Sequence, residues 1–188
     1  MTFEVPKGPV PPSLSGHAGA LLATDVSEAG GVVGDVIDPA FAGPVEFAGD
    51  GTPVVEAANV VLGGNDFDFY IEMTRLAGNS NEDLVSIWYA SNQAFRFRMA
   101  NDSILVEGSS SGTNNRTLHW PDADEVVDGQ RASFLITRRS RVFTTYKNGA
   151  LVAESTYFTD FVCFAGAGAL RIGQGLEGTI HSTALVIL

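Results

Sequence analysis

Asn148-Gly149 lies between two runs of alternating hydrophobic residues, and that arrangement narrows the fold of this chain more than any other feature. Tight hairpin turns need residues that accept positive φ, so Asn-Gly flanked by alternating apolar positions marks a hairpin. The runs 132–137 and 141–146 flank a charged turn read at Arg138-Arg139-Ser140. A second turn at Lys147-Asn148-Gly149 leads into a third run. Residues 126–187 therefore read as a β-meander, extended by Ala169–Gly173 and Leu176–Ile180.

The rest of the chain agrees. Phe67, Phe69, Ile71 and Met73 alternate with Asp68, Tyr70 and Glu72, which describes a strand with one apolar and one polar face. Leu84–Tyr89 and Ala94–Met99 read as a pair joined by Ala90-Ser91-Asn92-Gln93, and Ile104–Glu107 as another strand. Gly108–Asn115, built only of Ser, Gly, Thr and Asn, reads as a loop. Short strands are expected within 26–62, and one helical turn at Ala18–Asp25. No segment sustains a helical period, so the expected fold is an all-β, two-sheet antiparallel sandwich.

The chain has 188 residues and 45% hydrophobic content, enough for one real core. Charge divides unevenly. Residues 1–74 hold eleven acidic groups and one basic, a balance of −10, while residues 75–188 hold eleven acidic and ten basic, a balance of −1. Phosphate backbones attract Lys and Arg clusters, so nucleic acid is not an expected ligand. No apolar run approaches the roughly 20 residues that cross a bilayer, so no membrane insertion is expected. Met1–Pro12 lacks the continuous apolar stretch of a leader.

Residues 1–50 read as an extended, acidic Pro/Gly-rich arm with short strands, ahead of a sandwich at 51–188. Pro6, Pro9, Pro11 and Pro12 deny the start a regular ladder. A free terminus of that composition frays, so a neighbouring subunit is expected to hold it down.

The order of several pieces resembles the laminin-G-like, concanavalin A-like lectin/glucanase jelly roll. They are Phe69-Tyr70-Ile71-Glu72-Met73, Asp128-Gly129 ahead of Thr137-Arg138, Tyr146-Lys147-Asn148-Gly149, Leu170–Gly173 and Gly178–Ile180. The likeness covers about residues 54–188. Where members often carry Trp-His after the Asp-Gly turn, this chain has Arg131-Ala132, which marks a divergent member. The resemblance implies ligand sites on the concave face or rim loops, and it makes calcium a candidate cofactor. Hard oxygen ligands stand at Asn79, Asn81, Glu82, Asp83, Asp122, Asp124 and Asp128.

Catalysis finds no support. The Glu-x-Asp-x-x-Glu spacing of glucanases with this architecture is absent. His17, His119 and His181 are far apart in no metal-binding pattern, and no nucleophile elbow accompanies them. Cys163, the single cysteine, lies in an apolar run and reads as a buried inert thiol. Gly173–Gly178 matches the dinucleotide fingerprint in letters only, because no helix follows.

Sugar binding needs an exposed aromatic with amides nearby. Trp88-Tyr89 beside Asn92-Gln93, and Asn114-Asn115-Arg116 beside His119-Trp120, supply candidates; the alternative is that Trp88 or Trp120 packs into the core. Two functions follow. One is a non-catalytic structural component of a large assembly, a phage or virion decoration, spike or tail protein, held to other subunits through its arm and itself homo-oligomeric. The other is a glycan-binding module or adhesin. The first places the chain on a virion, the second on an extracellular or cell surface.

Overall fold

A computed structural model describes residues 20–23, 45–49, 55–60, 62–76, 82–89, 92–100, 103–113, 116–119, 126–140, 142–155 and 168–187. Within them the chain forms β1 (Ala20–Ala23), β2 (Val45–Ala48), β3 (Val55–Val60), β4 (Phe67–Arg75), β5 (Glu82–Tyr89), β6 (Asn92–Ala100) and β7 (Ser103–Gly112). There follow β8 (Arg116–His119), β9 (Arg131–Arg139), β10 (Val142–Lys147), β11 (Ala150–Ser155), β12 (Gly168–Gln174) and β13 (Glu177–Ile187). No helix occurs among the described residues.

The strands build two antiparallel sheets. The first runs β1-β13-β4-β9-β10-β11, with β2 also pairing β13; the second runs β3-β12-β5-β6-β7-β8. This is the all-β sandwich expected from the alternation. Phe67, Phe69, Ile71 and Met73 from β4, Phe134 and Ile136 from β9 and Phe143 from β10 are buried. They meet Val85, Ile87, Phe95, Phe97 and Ile172 of the second sheet in one continuous core. Phe67 packs edge-on against Phe95 at 5.3 Å and Phe143 at 5.9 Å, while Phe97 meets Phe134 at 5.5 Å.

The hairpin at Asn148-Gly149 forms as expected, with φ of 50° and 80°. Asn148 is fixed at both ends of its residue: its N–H donates to the Ser133 carbonyl at 2.9 Å, and its Oδ1 accepts from Ser133 N–H at 2.9 Å. β9, β10 and β11 are the meander. The chain then leaves that sheet, since β12 joins the second and β13 returns to the first between β4 and the β1/β2 pair.

The β12–β13 link is where the dinucleotide-like letters fall, and they form a turn closed by Leu176 N–H to Gly173 O at 3.1 Å. Gly173 has φ +76°, and a Cβ there would lie 2.0 Å from the Phe47 ring of β2. Gly173→Ala is therefore expected to lose roughly 1–3 kcal/mol through overpacking and left-handed strain. Chemical denaturation would read that loss, and faster amide exchange at 45–48 would show β2 unseated.

Four expectations need correction. Ala20–Ala23 is strand β1 on β13, not a helical turn, because its backbone pairs with Ala184–Val186. Arg138 and Arg139 belong to β9, and of the three residues read as the turn Ser140, at φ 48°, lies beyond the strand. Gly108–Gly112 lies in β7 and not in a loop, its ladder to β6 holding it extended without apolar side chains. Asn92 and Gln93 open β6 instead of joining the strands. Cys163, His17 and residues 1–19 of the leading segment lie outside the described residues. Its two described strands pair with β13.

Candidate functional site

The outward faces of the two sheets differ in chemistry. On the first sheet each carboxylate that alternates outward from β4 is covered by an arginine of β9. Arg139 Nη2 lies 2.6 Å and 2.7 Å from the two Asp68 oxygens, and Arg131 Nε donates to Glu72 at 2.7 Å. Asp68 is fully buried beneath its partner, so this polar face is less exposed than alternation implies. Beside it Thr74 Oγ1 and His181 Nε2 meet at 2.8 Å. Burial pushes the His181 pKa down, Arg131 lowers it further, and Glu72 opposes them. Such committed carboxylates hold strands together.

The second sheet presents the better candidate. Strand β6 reads Ala94-Phe95-Arg96-Phe97-Arg98-Met99, and alternation sends both arginines outward while the phenylalanines fill the core. Ser86 of β5 stands opposite Arg96, and across β6 Glu107 of β7 stands opposite it too. Glu107 accepts from Arg96 Nε and lies 3.2 Å from Arg98 Nε, while Asp83 lies 3.8 Å from Arg96 Nη1. Burial raises the Asp83 pKa; Arg96 and Arg98 pull it down and Glu107 adds to the rise.

Trp88 belongs to this face. It follows buried Ile87, is partly exposed, and carries the Arg96 guanidinium over its ring at 4.6 Å from the centroid. Such a cation–π contact contributes on the order of 0.5–2 kcal/mol. Gln93 stands opposite Trp88, and Tyr89 opposite Asn92. Register shifts near Trp88 and Gln93 loosen both neighbouring ladders here. Bulges of this kind re-aim side chains near sites.

Of the residues predicted for sugar binding, the register thus puts Trp88, Tyr89 and Asn92 at one end of the β5–β6 pair. Asn114, Asn115 and Trp120 lie outside the described residues. Arg116 opens β8, opposite Gly108 and three strands from β5, about 14 Å by ordinary strand spacing. Sequence reading missed Arg96, Arg98 and Glu107, although the Phe-Arg-Phe-Arg alternation was their visible signal, and it named Asp83 only as a calcium ligand.

For calcium, Asp122 and Asp124 lie outside the described residues. Asp128 is 3.5 Å from Arg75 Nε, and Glu82 is fully buried 3.4 Å from the same nitrogen. Glu82 is therefore no rim ligand, a correction caused by its inward position on β5. Among the described residues no group of three His, Cys, Asp or Glu side chains is placed to hold a metal ion. A further correction concerns the nucleophile elbow: its Gly-x-Ser-x-Gly letters do occur, at Gly108-Ser109-Ser110-Ser111-Gly112, but they lie inside β7 and lead to strand β8 instead of a helix.

No family model and no curated protein sequence matches this chain. Solved structures do resemble it. The carbohydrate-binding module CBM40 of Ruminococcus gnavus IT-sialidase has a TM-score of 0.55 at 14% identity, over 78% of this chain and 91% of that one. The leech intramolecular trans-sialidase has a TM-score of 0.55 at 16% identity, over 77% of this chain but only 25% of that enzyme. The heptameric SAP-like pentraxin of Limulus polyphemus has a TM-score of 0.53 at 11% identity, over 76% and 74% of the two chains. These likenesses establish a concanavalin-like jelly-roll sandwich. They do not confirm the laminin-G or virion assignment.

Proposed function

We propose that this chain is a non-catalytic glycan-binding module whose ligand lies on the outer face of the second sheet. The observation that carries it is Trp88, partly exposed among polar side chains with a guanidinium set over its ring. An aromatic at a polar surface offers a sugar an apolar face, while Arg96 and Gln93 beside it offer hydrogen bonds. The R. gnavus module was seen bound to α2,3 sialyllactose, at a TM-score of 0.53 to this chain, which supports the ligand class.

A glycan array read with the full chain and with Trp88→Ala tests the proposal. Removal of the indole is expected to weaken the strongest signals about tenfold, the equivalent of ~1.4 kcal/mol. Signals indifferent to the change would sink this placement, and an empty array would sink the function.

The role in a large assembly has less behind it. It rests on residues 1–50, whose described strands β1 and β2 pair with β13 of the same chain. A pentraxin neighbour is heptameric, which supports self-association as part of the proposal. Display on a particle or cell surface would suit a module that meets glycans.

A further inference from the structure

The polar groups around Trp88 constrain which sugars fit, an inference resting on the glycan-binding reading above. Two facts matter. First, Arg96 and Arg98 already have carboxylates of their own chain. Glu107 serves both Arg96 and Arg98, and Asp83 stands beside Arg96. A carboxylated sugar would have to displace Glu107 or Asp83, and it would approach a chain of formal charge −11. Second, oxygens here lack hydrogen-bond partners. Gln93 Oε1, opposite Trp88, is buried with none, and so is Ser86 Oγ, on a residue 1% exposed that stands opposite Arg96. Buried polar oxygens ordinarily have partners. A carboxylate cannot donate to the Gln93 carbonyl oxygen, whereas a sugar hydroxyl can.

We infer that this face selects neutral, hydroxyl-rich sugars, the Gln93 amide turning its buried carbonyl oxygen outward to accept from a ring hydroxyl beside Trp88, and that Glu107 and Asp83 exclude carboxylated glycans. Selection then works by rejection as much as by attraction, since the wrong ligand must break a guanidinium–carboxylate contact, two of them where it displaces Glu107.

The test is isothermal titration of the full chain with neutral oligosaccharides and their carboxylated counterparts, lactose against 3′-sialyllactose among them. Neutral members are expected to bind at least tenfold more tightly. Glu107→Gln frees Arg96 and Arg98 and should narrow that gap at least threefold. Asp83→Asn, a less buried site, should narrow it in the same direction if Glu107→Gln folds poorly. Gln93→Ala should weaken neutral ligands several-fold with an unchanged melting temperature. Tighter or equal binding of carboxylated sugars overturns the inference while leaving the glycan-binding reading intact, and so does a gap unmoved in both charge variants. Failure of every sugar to bind overturns both.

Discussion

Glu82→Ala is expected to destabilise the chain by about 3–5 kcal/mol, because it strands a guanidinium inside the sandwich. Arg75 ends β4 of the first sheet with its side chain 1% exposed, and Glu82 opens β5 of the second with its side chain at 0%. Their 3.4 Å contact ties the two layers together where the chain crosses between them. Asp128, 3.5 Å from the same nitrogen but half exposed, compensates only in part. The Arg75 carbonyl also accepts from Gly129 N–H at 2.6 Å, so its backbone stays held when the Glu82 carboxylate is removed. For a chain of this size the loss corresponds to a melting point lower by roughly 6–20 °C. The double change Arg75→Met with Glu82→Leu should recover most of it, since burying two apolar groups leaves no unpaired charge. A single variant melting within a degree of the parent would show that the pair holds nothing.

Phe67→Ala should cost a similar amount, about 3–5 kcal/mol, for a different reason. Phe67 is fully buried and touches rings from both layers, Phe143 of its own sheet and Phe95 of the other. Those two are also stacked on each other at 6.2 Å, so truncation hollows the middle of a three-ring cluster. The rigid strands around it cannot close the gap, and the cavity adds to the lost transfer energy. Urea denaturation gives the number; Phe67→Leu, retaining much of the volume, should lose less than half as much. Equal losses for the two would mean that the aromatic geometry, not volume, decides.

Alternation revealed the layers because each strand segregates its faces strictly, as β9 does from Arg131 to Arg139. It failed where charge or small residues disguise a strand. Arg138 reads as solvent-facing, yet it is 1% exposed because Nη1 donates to the Asn65 carbonyl and lies 4.0 Å from Asp66, both far away in sequence. Gly108–Gly112 shows no apolar rhythm, and only its pairing with neighbouring strands, β6 along its length and β8 at Gly108, reveals it as strand. The site divides in the same way. Trp88 stands out as an aromatic next to buried Ile87, but its pairing with Arg96 depends on register shifts that no local pattern encodes. Glu107 follows three apolar residues and betrays nothing of the two arginines it serves.

Strand β13 pairs Phe67–Arg75 with residues more than a hundred positions later, including Phe69 with Leu185. A ribosome delivers Phe67–Arg75 long before the segment that covers its edge. Throughout that interval a largely apolar ribbon waits with unsatisfied amides, the condition in which nascent β chains invite chaperones or stick to one another. Expression yield of this chain should therefore respond to translation speed and holdase supply more than its finished stability would suggest.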